Sequence, residues 1–204
     1  MNKITAYITI YKNKILRNGD LFYEADGNLP VNDFLKGVWK HLQVKYPKFY
    51  KMDTLSKLGV LGAEILLADR PHLQLSGDKT GVILSNTHST LETDKAHWNS
   101  VCNHDHFYPS PAVFVYTLPN IMIGEISIKH KLFGENALFI TERFDVGLLV
   151  SHIDLLIRSG KIDAAIGGYV DVSETDYKVM MYWVTNEMKK GIVHDKKELN
   201  QLFD

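Results

Sequence analysis

Residues Gly134–Gly147 read GENALFITERFDVG, and the chain continues as LLVSHIDLLIRSGKIDAAIGG to Gly168. Within it Leu138-Phe139-Ile140 is a short apolar run, the signal of a strand. Phe144, Leu148, Leu149, Ile153, Leu156 and Ile157 then recur at helical spacing, and Ser159-Gly160 supplies a helix C-terminal stop. Ile162–Val172 follows as another strand, with an interruption expected at Gly167-Gly168. Strand, helix and strand in succession point to an α/β layer structure whose right-handed crossovers return successive strands to one sheet.

The flanking sequence keeps this alternation. Ile4, Ala6, Ile8 and Ile10 have the period of a half-buried strand. Gly19-Asp20, Gly27-Asn28 and Pro30 punctuate what reads as a polar connection. Asn32-Asp33 then caps an expected helix carrying Phe34, Val38, Trp39 and Leu42, with Pro47 as its end. Asp53 is a second cap, and Leu55, Leu58, Leu61, Ile65 and Leu66 share one helical face; the small Gly59 and Gly62 on that helix allow a neighbour close approach. Thr80–Asn86 has the continuous apolar character of a strand buried on both faces. Thr87–Pro111 is rich in histidines and aromatics without a clear period and reads as an extended loop with one helical turn. Ile121, Met122, Ile126 and Ile128 suggest a helix ending near Gly134, and Val179–Thr185 a last strand. The charged tail, residues 189–204, reads as a short exposed helix. There is no internal repeat or compositional break, so residues 1–204 are expected to form one domain.

Composition bounds the function classes. A hydrophobic content of 45% over 204 residues supports a sizeable core, and 23 basic against 24 acidic side chains leave a net charge of -1 with no nucleic-acid or polybasic membrane footprint. No stretch approaches the roughly 20 apolar residues of a membrane helix. The first residues lack a secretion signal and Cys102 is the single cysteine, so the expected location is the cytoplasm, without an intramolecular disulfide.

The segment from Gly134 to Gly168 resembles the nucleophile region of β-ketoacyl synthases, without a gap from Gly134 to Gly160. The stretches Met52–Asp69, Gly81–Asn86 and Phe107–Ile128 resemble the family's early helix, first core strand and pre-nucleophile segment, in the same order. The resemblance covers the family's N-terminal half. It implies an α/β, thiolase-like fold, a single half with a mixed sheet flanked by helices. Arg143 stands at the position of the nucleophilic cysteine, in the junction Glu142-Arg143-Phe144-Asp145. A guanidinium cannot attack a thioester as a thiolate does. The family's other catalytic residues lie in its second half and have no counterpart here, so no catalytic residue is expected. Cys102 lies away from the strand-to-helix junction. The resemblance further implies a chain-length-factor-like pseudoenzyme of the kind that pairs with an intact ketosynthase, such as those accompanying aryl-polyene and flexirubin-type systems. Leu138, Phe139 and Ile140 are then the edge strand that meets a partner, and an uncovered apolar layer is expected to need another chain. The expected partners are an intact ketosynthase and an acyl carrier protein, or a second copy in a homodimer.

Alternatives remain open at several positions. Arg143 opposes the dipole of the following helix unless Glu142 and Asp145 neutralise it; it is either a surface ion pair or a group reaching a partner or a carrier-arm phosphate. Asn103-His104-Asp105-His106, with His97 and His88 nearby, invites a metal reading, but no closing ligand pair is recognisable, and no metal or cofactor is expected. A hydrolase or acyltransferase would use His88, His104 or Glu142 as base with Ser85 or Ser89, although no Gly-x-Ser-x-Gly elbow is present.

Overall fold

Ile4, Ala6, Ile8 and Ile10 are buried along β1 (Lys3–Tyr11), as their alternation requires, in a computed structural model that describes residues 1–68, 76–102, 107–186 and 190–203. The connection after β1 is not a polar loop. It forms β2 (Lys14–Arg17) and β3 (Asp20–Glu24), two hairpins added to the sheet, with turns at Lys12-Asn13 and Asn18-Gly19 in positive-φ backbone. Asn-Gly is the turn that matches the twist of paired strands.

Helix α1 (Val31–His41) buries Phe34, Leu35, Val38 and Trp39. It starts after Pro30 without a side-chain cap, because Asn32 reaches across to Thr54 and Lys57 instead. It ends before Pro47, which opens a 3-10 turn. Helix α2 (Thr54–Leu67) is capped as expected, Asp53 accepting from the Ser56 amide at 2.9 Å. A Cβ on Gly59 would lie 2.6 Å from Met122 Cγ, so this glycine does admit the neighbouring helix. Strand β4 (Thr80–Asn86) is buried at every residue. The segment after it holds a full helix, α3 (Leu91–Val101), then α4 (Pro111–Val115); α3 buries none of its residues, which explains its lack of an apolar period. The remaining elements are α5 (Ile121–His130), β5 (Asn136–Ile140), α6 (Val146–Arg158), β6 (Ala164–Val172), β7 (Tyr177–Thr185), β8 (Ile192–Val193) and α7 (Lys196–Phe203). Gly167-Gly168 do not interrupt β6.

The sheet order is β3-β2-β1-β7-β6-β4-β5, with β8 pairing β1. β4 is parallel to β5 and β6, whereas β7 is antiparallel to β6 and β1, so the sheet is mixed. Val82 and Leu84 of β4 face a core shared with α1, α2 and α5, while Ile83 faces a second core with Leu149 and Ile153 of α6 and Leu199 of α7. Helices therefore flank both faces, and the fold class is α/β, with one mixed sheet.

Both sheet faces being covered, the expected bare apolar layer is absent among the described residues. Exposed apolar surface lies instead on α3, α4 and their flanks (Trp98, Tyr108, Phe114), beside the β5 edge (Ile128, Phe133, Ile140) and at Leu155. The tail is likewise not merely an exposed helix. Leu199 is fully buried, and the buried His194 places Nδ1 2.8 Å from Asp154 Oδ1 and Nε2 3.2 Å from the Tyr182 hydroxyl. His194→Ala strands the buried Tyr182 hydroxyl and is expected to cost about 2–3 kcal/mol, readable as a lowered midpoint in urea unfolding.

Candidate functional site

Parallel strands β4, β5 and β6 end on the same side of the sheet, and the turns that follow them gather the candidate residues there. After β5 the chain turns at Thr141, whose amide donates to the Asn86 carbonyl at 3.0 Å and whose hydroxyl donates to the Arg143 carbonyl at 2.8 Å. Asp145 then caps α6, accepting from the Leu148 amide at 3.0 Å. Its carboxylate thus sits at the positive end of the helix. Arg143 lies two residues before that cap, outside the helix and exposed. Among the described residues it forms no ion pair with Glu142 or Asp145, and Asp145 is instead engaged as the helix cap. Phe144 folds inward, its ring 5.2 Å from that of Tyr169 on β6.

Beside this junction lies a histidine–carboxylate pair of which sequence reasoning named only His88, not its partner Asp171. Asp171, near the end of β6, accepts from the amides of Thr87 at 3.0 Å and His88 at 2.9 Å, and its other oxygen lies 2.6 Å from His88 Nδ1. Burial alone would raise the Asp171 carboxyl, but the bonds from the His88 amide and ring and from the Thr87 amide outweigh it and hold it below the usual range. The Tyr169 hydroxyl donates to Thr87 Oγ1 at 2.9 Å, and burial pushes its pKa up to about 12. His88 and Asp171 are 83 residues apart, so only the parallel β4–β6 pairing brings them together.

The hydroxyls proposed for a hydrolase are not assembled with this histidine. Ser85 is buried, with its Oγ 3.5 Å from the Gly168 carbonyl, and Ser89 occupies a positive-φ turn position; among the described residues neither hydroxyl bonds to His88. Cys102 is exposed at the C-cap of α3, away from the strand-to-helix junction. His97 packs against Phe114 with ring centroids 5.3 Å apart and the planes tilted by 53°. Asn103, His104, Asp105 and His106 lie outside the described residues, and among those described no group of metal-binding side chains is found. No described helix is long and apolar enough to cross a membrane.

Asp171 and Asp154 make a pH prediction. Both carboxyls are lowered in the folded protein from an ordinary value of 3.8, so the stability they contribute is present above that value and is lost as pH falls through their folded values. Urea midpoints are expected to drop between pH 5 and 3, and Asp171→Asn should flatten that dependence. An unchanged slope in the variant would remove Asp171 as its source.

Leu138-Phe139-Ile140 belongs to β5, one of the two terminal strands of the sheet, β3 being the other. β5 pairs with β4 on one side, Leu138 opposite Leu84 and Ile140 opposite Asn86, and its other side carries no strand among the described residues. Ile140 is 53% exposed, while Phe139 packs edge-on against His152 at 5.1 Å.

No family model matches the sequence, and comparison with curated proteins finds no match. Solved structures do match. The structure of the ishigamide ketosynthase/chain length factor superposes with a TM-score of 0.67 at 15% identity, over 93% of this chain and 63% of that one. A chain from the complex of a ketosynthase with its chain length factor from Xenorhabdus doucetiae gives 0.62 at 14% identity, over 92% and 80%. A β-ketoacyl synthase from Burkholderia phymatum gives 0.57 at 11%, over 90% and 58%. The chain thus spans less than two thirds of the first and third of these relatives. At such identities the likeness is one of fold: this chain has the thiolase-like fold of ketosynthases and chain length factors, with a single, exposed cysteine.

Proposed function

We propose that this chain is a non-catalytic, chain-length-factor-like subunit that pairs with an intact β-ketoacyl synthase in fatty-acid or polyketide-type biosynthesis, of aryl-polyene or flexirubin-like kind. One observation carries the reading: an open edge strand, β5, leads directly into a strand-to-helix junction that holds Arg143, the residue which the sequence resemblance aligns with the nucleophile of condensing enzymes. The likeness to chains of ketosynthase/chain-length-factor complexes supports it. An unpaired edge offers backbone donors and acceptors to a second sheet. Arg143, exposed and free of ion pairs among the described residues, suits contact with the partner or with a phosphate on the carrier-protein arm.

Arg143→Ala should change folding stability by no more than about 0.5 kcal/mol, since the side chain is exposed and unpaired. The same change should weaken binding of an acyl carrier protein or of the partner synthase, measured by calorimetry. Undiminished binding to both would leave Arg143 without the proposed role. The purified chain should also show no thioester hydrolysis or transfer above Arg143→Ala and His88→Ala controls. Turnover that disappears with His88→Ala would instead favour a thioester hydrolase built on the His88–Asp171 pair.

The same open edge supports a second reading. β5 could pair with β5 of another copy about a twofold axis, giving a homodimeric module that binds acyl groups or carrier protein.

A further inference from the structure

A cleft of about 490 Å³ opens between the α1–α2 side of the fold and α3–α4, clear of the β5–α6 junction; none of Glu142 to Asp145 lines it. This size falls in the range of small-molecule sites. The α1–α2 wall and the turn before it bring Lys36, Lys51 and Lys57 beside Tyr50, Met52 and Leu55, and the α3–α4 side brings Ala96, Ala112, Val113 and Tyr116 beside Glu92 and Thr93.

The carboxylates that reach the cleft are already engaged. Asp53 accepts from the Ser56 amide through one oxygen and from the Thr93 hydroxyl through the other, each at 2.9 Å, and Glu92 accepts from Lys95 at 3.0 Å. Lys57 is in a different position. It is only 7% exposed, and its ammonium has one acceptor among the described residues, the neutral amide oxygen of Asn32 at 3.2 Å. Asn32 is itself held by donating to the Thr54 hydroxyl at 3.0 Å. An ammonium carries three donors, and burying it with one neutral acceptor is unfavourable. Burial, and then the like charge of Lys36, push Lys57 below the ordinary lysine value, with Asp53 offsetting part of the effect. Lys57, buried and short of acceptors, lines the cleft together with Lys36, whose ammonium also lies 3.6 Å from the Asp33 carboxylate, and an anion is favoured beside the buried ammonium. The alanines opposite leave room for an apolar body.

We propose that this cleft binds a small amphiphilic anion, with a carboxylate or phosphate-monoester head at Lys57 and Lys36 and an apolar body along Ala96, Ala112, Val113 and Tyr116.

Titration calorimetry with decanoate, decyl phosphate, decanol and decyltrimethylammonium tests the proposal. At least one anion should bind, with decanol and the cation about tenfold weaker or worse. Preference for decanoate assigns a carboxylate head, and preference for decyl phosphate a phosphate head. Lys57→Met should weaken binding by about tenfold or more, as expected for loss of a charged hydrogen bond. Because Lys57 is buried, Lys36→Met and Ala112→Trp serve as surface variants, each first shown to melt as the parent does; the first should weaken the anion and the second should block the cleft. Absence of anion binding at millimolar concentration would overturn the proposal. Equal binding of decanol or the cation, or affinity unchanged in both surface variants, would overturn it as well.

Discussion

Ile140→Asp should break the assembly of this protein while leaving the chain folded: by light scattering the mass falls to that of a single chain, and the melting curve stays close to that of the parent. Ile140 is 53% exposed at the end of the terminal strand, so in the isolated chain the new carboxylate faces water and disturbs little. In an assembly where a partner strand pairs with β5, the same carboxylate becomes buried without a counter-charge, at a cost of about 3 kcal/mol or more, over a hundredfold in affinity. Phe139→Asp should act in the same direction but also destabilise the chain, because Phe139 packs against the second core and the His152 ring. A mass unchanged in Ile140→Asp would show that β5 is not the contact surface.

Gly168→Ala is expected to have the largest effect on folding, about 3 kcal/mol or more of lost stability. Gly168 has a φ of 150°, a region L side chains rarely adopt, and an added Cβ would run into the Met180 carbonyl oxygen and lie 2.8 Å from Met181 Cα. These are backbone atoms of the neighbouring strand β7, so no rotamer change relieves them. Gly167 beside it leaves space for the buried Tyr182 ring, to which an added Cβ would approach within 2.5 Å. A urea midpoint within error of the parent for Gly168→Ala would mean that β6 and β7 can separate at this point without loss.

These two glycines also show where sequence reasoning reaches its limit. A glycine pair in an apolar run signals a break in a strand, yet the pair lets β7 and the Tyr182 ring approach β6 closely while the strand continues. That depends on a neighbour which the local sequence does not name. Strands β1 and β4 and helix α2 were legible because each carries its own evidence: a period of two, a continuous apolar run, and a cap followed by an apolar stripe. The β2–β3 hairpin was legible in principle, since Asn18-Gly19 stands between apolar runs, but the surrounding polar residues masked the alternation. Helix α3 lacked a signal because an exposed helix needs no apolar face. In the candidate site, the strand-to-helix junction that holds Arg143 could be placed from its neighbours in sequence, whereas Asp145, read there as a neutralising charge, is the cap of α6. The His88–Asp171 contact could not, because strand pairing alone creates it.

Whether β5 meets an intact ketosynthase is read from the solution mass by light scattering of this chain purified alone and after co-expression with the ketosynthase encoded nearest to it. A stable mixed complex that Ile140→Asp dissolves is the expected result. A chain that keeps the same mass with and without the synthase, with the synthase eluting separately, would mean that the two do not pair.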